Sequence, residues 1–295
     1  MESLNLAQRN NRIIIIAFLI TICAVSCTER IDITTDASAP RLVIYGYITT
    51  DTMQHAISIT RSSGYFATTK PGGISNALVT ISSGDQVFTL TESAEAGVYL
   101  TDADVYGIEG QNYTLNVSLD FDNDGQEEQY GASSYLPHAA RLDSIRMQPS
   151  TDYDDEIEIS IFGGLSIDKD CYYSFHAFRN DMPLNDSLSL FALFDGSLVG
   201  TDTMDDVACY FLDQTKDKTK LASGDRITLQ LNVLTQEYGL FLLKAQTEVL
   251  GSIPLLSGPP ANVETNIRSI SGKAPANISG YFSAYSGKKC STVWK

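Results

Sequence analysis

Along much of the chain, apolar and polar residues alternate with a period of two, as in residues 113–119 and 156–161. Such alternation indicates half-buried β-strands, because successive side chains of a strand point to opposite faces of its sheet. Short segments of this kind recur at roughly 8 to 12 residue spacing between residues 41 and 132, with Gly, Asp and Asn between them,. This pattern is typical of a β-sandwich. We therefore expect a mostly β fold whose first domain, residues 40–138, is an Ig-like β-sandwich.

The second half of the chain continues the β pattern and adds one helix. Residues 139–287 are predicted to form a second β-sandwich, followed by a tail at 288–295 that either frays or adds an edge strand,. Between residues 236 and 250 the apolar residues recur at helical spacing, and Thr235 can cap the first turn. They form a single stripe of Tyr238, Phe241, Leu242, Ala245 and Val249. We predict an amphipathic helix over 236–250 that packs on the second sheet; a partner-binding face is the alternative.

The first residues have the parts of a secretory signal peptide. Two arginines precede an apolar run at 13–23, and small residues lead from it to Cys27,. The run is too short to cross a bilayer, which takes about 20 apolar residues. Residues 24–27, Ala-Val-Ser-Cys, resemble a bacterial lipobox, whose cysteine is acylated before the signal is removed. We predict that 1–26 are a lipoprotein signal peptide and that 27–39 tether the domains to the lipid; an ordinary secreted protein is the alternative.

Charge and cysteine use agree with an exported protein. The formal net charge of −16 disfavours binding to nucleic acid or to anionic head groups, because like charges repel,. The length of 295 residues suggests two domains after the signal,. Cys171 and Cys209 lie in strand-like apolar segments of one region and are candidates for a disulfide in an oxidising compartment,. Unpaired core thiols are the alternative.

One acidic segment resembles part of a calcium loop. Asp120, Asp122 and Asp124 stand at alternate positions and Gly125 follows, as in the first half of an EF-hand loop, and Glu128 is a further candidate ligand,. The second half of the motif fails, because the position that should hold a bidentate Glu is Gly131,. A weak Ca²⁺ site is one interpretation, and an acidic hairpin turn is the other. No other cofactor is predicted.

Aromatic residues supply the candidate ligand contacts. Aromatic rings bind sugars and peptides by apolar contact, although in a sandwich they more often fill the core. The candidates are Tyr65, Phe66, Tyr281 and Tyr285. The sequence has no nucleophile-elbow motif and no Gly-rich phosphate loop, and its three histidines are widely separated,. We therefore expect a protein that is not an enzyme.

The pieces together resemble a known family. The segments that carry the resemblance are the lipobox and residues 41–48, 59–66, 142–145, 224–229, 265–267 and 280–282. They are similar to those of a Bacteroidota family of outer-membrane lipoproteins known as a domain of unknown function. Members are typically encoded beside TonB-dependent transporters. The resemblance implies an outer-membrane lipoprotein, in a leaflet left open, that binds or assists such a transporter. A fimbrillin-like adhesin and a glycan-binding surface lipoprotein are the alternatives.

Overall fold

The computed structural model describes residues 40–62, 71–185, 187–199, 202–250, 263–271 and 278–295. The predicted signal peptide and tether, with Cys27, lie outside these ranges, as do Tyr65 and Phe66. Within them the fold is mostly β, as expected, and it contains one α-helix. That helix is too short to cross a bilayer, and no other helix of the described ranges is long and apolar enough to do so.

Seven strands form the first half. They are β1 (Leu42–Thr49), β2 (Ala56–Arg61), β3 (Leu78–Ser83), β4 (Gln86–Glu92), β5 (Val98–Leu100), β6 (Asn112–Leu119) and β7 (Glu128–Tyr135). The alternation seen in the sequence is visible as alternating burial; in β6, for example, Tyr113, Leu115, Val117 and Leu119 are buried. These inward-facing residues build one apolar core, which Leu136, Ile267, Phe282 and Ala284 complete. The Ig-like topology stays a prediction.

The second half contains the remaining strands and the helix. They are β8 (Arg141–Pro149), β9 (Glu156–Gly164), β10 (Tyr172–Arg179), β11 (Met182–Pro183), β12 (Ala192–Asp195), β13 (Thr203–Asp213), β14 (Arg226–Leu234), α1 (Gln236–Leu250), β15 (Arg268–Ser269) and β16 (Ile278–Val293). The helix covers the same residues as predicted. A three-stranded sheet, β13-β9-β8, shares a second core with strands β10 and β14. This core begins at Ala140, so the two cores separate close to the expected domain boundary.

The two cores nevertheless share one long sheet. Its strand order is β11-β10-β14-β16-β1-β2-β5-β4-β3-β6-β7-β15, and β12 also pairs with β10. Strand β16 connects the halves, because residues 278–285 pair with β1 and residues 286–293 pair with β14. Residues 40–295 consequently form one compact unit.

The C-terminal residues 288–295 are therefore not a tail. Lys288 to Val293 pair with β14 in antiparallel register, and the hydroxyl groups of Thr228 and Ser291 are hydrogen-bonded at 2.8 Å. Trp294 packs against the second core. The alternative prediction, that this segment adds strand pairing at the edge of a sheet, is therefore correct, and Lys288 and Lys289 are both exposed.

The contact between β1 and β16 depends on a glycine. Gly280 has a φ of +102°, and a Cβ at this position would overlap the carbonyl group of Ile44 on β1. Gly224 has a similar φ of +96° but has open space where its Cβ would be. A comparison of substitutions at Gly280 and Gly224 therefore distinguishes the cost of backbone strain from the cost of a steric clash between strands.

We expect Gly280→Ala to lower the free energy of unfolding by about 3 kcal/mol or more, because it adds a steric clash to the cost of a positive φ. Gly224→Ala, the matched control, should lower it by about 1 kcal/mol from strain alone. Urea unfolding of both variants measures the difference. Equal losses would contradict the close approach of β16 to β1.

Candidate binding groove beside the helix

The helix is fixed on the sheet by its first two turns. The Thr235 hydroxyl accepts a hydrogen bond from the amide of Tyr238 at 3.3 Å, which confirms the predicted cap,. Tyr238 and Leu242 are buried. Gly239 faces the ring of Tyr172 on β10 so closely that a Cβ would overlap it. The N-terminal half of α1 therefore lies directly against the sheet, whereas Val249 in the last turn is exposed.

An aromatic layer joins the helix to β1 and β16. The Tyr238 hydroxyl is hydrogen-bonded to that of Tyr45 on β1 at 2.9 Å. The Tyr238 ring stacks on the Tyr281 ring with a centroid distance of 5.2 Å. The centroid of the Phe241 ring lies 4.6 Å from that of Tyr281. Burial raises the pKa of Tyr281 to about 12 and raises the pKa values of Tyr238 and Tyr285 well above 10.0. These tyrosines therefore stay neutral at physiological pH.

A second element lies opposite the helix across Tyr281. The Asn266 side chain bonds to both main-chain groups of Phe282: its Nδ2 donates to the carbonyl oxygen at 2.7 Å, and its Oδ1 accepts from the amide at 3.0 Å. Two residues later, Arg268 begins β15 and pairs with Gly131 on β7. The segment 263–269 is thus attached to both β16 and β7.

Between α1 and this segment lies a groove with a volume of about 260 Å³. We call it the helix groove. Its apolar part consists of Leu240, Phe241 and Tyr281, and its charged residues are Glu237, Lys244, Glu264 and Arg268. The Lys244 ammonium pairs with the Glu264 carboxylate at 3.3 Å. Among the described residues, the side chains of Glu237 and Arg268 make no ion pair or hydrogen bond. The helix groove can therefore offer one carboxylate and one guanidinium to a ligand beside an apolar surface.

Two of the predicted aromatic ligand contacts, Tyr281 and Tyr285, have different surroundings in the structure. Tyr281 lines the helix groove but is only 6% exposed. Tyr285 lies beneath the helix against Tyr47, with ring centroids 5.3 Å apart, so it fills the layer as in the alternative interpretation. Glu237 and Arg268 were not singled out from the sequence. The helix pattern locates Glu237, but no local signal places Arg268 of a two-residue strand near it.

The acidic loop joins β6 to β7 as a hairpin turn. Oxygen atoms of Asp120, Asp122 and Asp124 lie within 4.8 Å of one another. They accept hydrogen bonds from amides of the loop, such as that of Gly125 to Asp120 at 2.9 Å. Glu128 does not join them: it is buried, and its carboxylate accepts a hydrogen bond from the Phe121 amide at 2.9 Å. The loop thus has the geometry of an Asx-rich turn, and its calcium binding stays a prediction.

Cys171 and Cys209 are free thiols, so the structure does not contain the predicted disulfide. Cys171 directly precedes β10, whereas Cys209 lies on β13 in the other sheet. Each thiol donates a hydrogen bond to a different main-chain carbonyl oxygen: that of Lys169 for Cys171, at 3.8 Å, and that of Ile159 for Cys209, at 3.3 Å. Burial raises the pKa of both thiols to about 12, which makes them unreactive core groups,.

One further polar cluster lies where the two cores meet. The Asp168 carboxylate contacts His138 Nδ1 at 3.1 Å and accepts the main-chain amide of His138 at 2.6 Å. The nearby Ser166 hydroxyl donates to the His138 carbonyl at 2.6 Å, not to its imidazole. These three residues therefore lack the hydroxyl-to-imidazole bond of an activated serine nucleophile.

Because the fold favours neutral tyrosines in the aromatic layer, its free energy of unfolding should decrease at alkaline pH. This contribution is complete below pH 10 and is lost as the pH rises above about 10, toward the raised pKa values of the folded state,. We expect Tyr238→Phe to reduce the slope of unfolding free energy against pH by up to about 1.4 kcal/mol per pH unit. Tyr106→Phe, a change at an exposed ring, is the control and should leave the slope unchanged. Urea unfolding between pH 8 and about 11 measures the slopes; equal slopes for Tyr238→Phe and the unmodified chain would contradict the account.

Comparison with known proteins identifies a family. No curated protein is significantly similar to the chain. Among solved structures, the apo structure of Bacteroides uniformis beta-glucuronidase 3 matches with 10% sequence identity and a TM-score of 0.21; the match covers 65% of this chain and 23% of that one. The family model described as "Domain of unknown function (DUF4249)" matches residues 28–291. The chain therefore belongs to the DUF4249 family.

Proposed function

We propose that the protein is an outer-membrane lipoprotein, anchored through Cys27, that serves as a binding subunit of a TonB-dependent nutrient uptake system. In this proposal the folded unit presents the helix groove at the membrane and passes a bound ligand to the transporter. The protein itself performs no chemistry on the ligand.

The observation that carries the proposal is the position of the family match. The match begins at residue 28, directly after the cysteine of the lipobox-like sequence. This division of the chain suits a leader that is removed before Cys27 and a family domain that starts at the acylated residue. Two or three acyl chains bind a bilayer far more strongly than one chain, so such a protein would stay at the membrane.

The pairing of β1 on both sides favours a binding subunit over an adhesin that receives a neighbour's strand beside β1. A subunit that is completed by the strand of a neighbour needs an unpaired strand position in its own sheet. Here β1 is paired on one edge with β2 and on the other with β16 of the same chain. A fimbrillin-like adhesin would need a protease-sensitive Arg after its first strand, and Arg61 is the residue nearest that position. Arg61 ends β2, and its guanidinium lies 4.2 Å from the centre of the Phe121 ring. It is thus part of the folded core region and not of a free linker.

Affinity purification of the tagged, full-length protein from its native outer membrane tests the proposal. We expect a TonB-dependent barrel to co-purify in a fixed ratio, and mass spectrometry to show an N-terminal acylated Cys27 without residues 1–26. Cys27→Ala is the control, because it removes the acylation site while leaving the described fold unchanged. This variant should lose both the acyl mass and the barrel.

The alternative functions predict different results. A ladder of covalent-like polymers would favour the adhesin, and recovery of polysaccharide without any barrel would favour the glycan-binding protein. An unacylated chain, or one that keeps Met1 to Ser26, would remove the basis of the proposal.

A further inference from the structure

The charges of the helix groove differ from those of the rest of the chain. The chain has 36 acidic and 20 basic residues, but the groove has two of each, on Glu237, Lys244, Glu264 and Arg268. Since Lys244 and Glu264 neutralise each other, the groove keeps one negative and one positive group that pair with none of the described residues. A ligand with a single charge would leave one of them unmatched. A zwitterion would match both.

The two free groups lie on the two elements that border the groove. Glu237 is on the first turn of α1, and Arg268 is on β15. Both line the same groove and they do not pair with each other, so each is available to a ligand that spans it. An arginine guanidinium binds a carboxylate with two parallel hydrogen bonds, and a glutamate accepts from an ammonium group. An α-amino and an α-carboxyl group are such a pair.

The apolar part of the groove favours a peptide side chain over a sugar ring. Sugars stack on an open aromatic face, but both neighbours of Tyr281 in the layer are aromatic: Tyr238 at 5.2 Å and Phe241 at 4.6 Å. Tyr281 therefore presents little of its ring to solvent, with 6% exposed, whereas Leu240 is 39% exposed. Ring edges and a leucine side chain suit a branched apolar group.

We propose that the helix groove binds a short peptide or amino acid with free termini and an apolar side chain. Arg268 holds the α-carboxylate, Glu237 holds the α-ammonium group, and the side chain lies on Leu240, Phe241 and Tyr281. The volume of about 260 Å³ limits the bound part to one or two residues,. This inference rests on the proposed binding role and names the substrate class that the uptake system would receive.

Isothermal titration of the full-length protein in detergent, with leucyl-leucine as the probe, tests the site. We expect sub-millimolar binding, and at least about tenfold weaker binding of the N-acetylated and the C-amidated dipeptides, since each loses one charge-assisted contact. Free leucine separates the two ligand sources: equal affinity indicates amino acids, and much weaker affinity indicates peptides. Either result supports the site.

Two variants assign the roles. Arg268→Gln should weaken the binding of leucyl-leucine at least about tenfold but should not further weaken the binding of its C-amidated form. Glu237→Gln should likewise weaken the binding of leucyl-leucine at least about tenfold but should not further weaken the binding of its N-acetylated form. Arg226→Gln, a change at an exposed arginine that pairs with Asp181 outside the groove, is the control and should bind like the unmodified protein. Thermal unfolding checks that each variant is folded.

Three results would overturn the inference: no binding of leucyl-leucine or leucine, equal binding of the dipeptide and its blocked forms, or an equal loss in Arg268→Gln for the free and amidated dipeptides. Binding of a neutral oligosaccharide in place of the dipeptide would overturn the inference in the same way as no binding of leucyl-leucine or leucine. The co-purification of a barrel is a separate readout. If a barrel is recovered but no peptide binds, only the substrate class fails; if peptide binds but no barrel is recovered, only the transporter role fails.

Discussion

The pairing of the last strand with the first is the constraint on which the structure depends. Strand β16 runs parallel to β1 over residues 278–285 and then continues antiparallel to β14 over 286–293. Phe282 and Ala284 therefore belong to the first core, whereas Cys290 packs against the second. A pairing between the two ends of the chain is slow to form and carries a large loop-closure cost, so the fold has to recover that cost through apolar burial on both sides.

The helix groove follows from this strand. Tyr281 projects from β16 into the aromatic layer, the main chain of Phe282 holds Asn266, and the parallel register sets Tyr45 beside Tyr281. The helix then closes the layer through Tyr238. The groove thus lies where α1 and the segment 263–269 are both attached to β16, through Tyr238 and Asn266.

Local patterns in the sequence predicted the local structure well. Alternation gave the strands, the stripe that includes Tyr238 and Leu242 gave the helix, and Thr235 caps it because an N-cap is a short-range interaction,. What failed was long-range. The sequence around Lys288 contains no signal that identifies its partner strand more than fifty residues earlier, because strand pairing depends on the whole fold. For the same reason the sequence did not predict that Arg268 lines the groove, or that two cysteines in similar strand contexts lie in different sheets.

Native-state hydrogen exchange of the β16 amides shows whether this strand ties the two cores into one unit. If one strand ties the two cores into a single unit, the amides of 281–285 and those of 286–290 should open with the same free energy, equal to that of global unfolding. Separate opening of the β1-paired and β14-paired halves, with different free energies, would show that the cores are independent domains. Such a result would contradict a fold in which β16 holds both cores and the helix groove together.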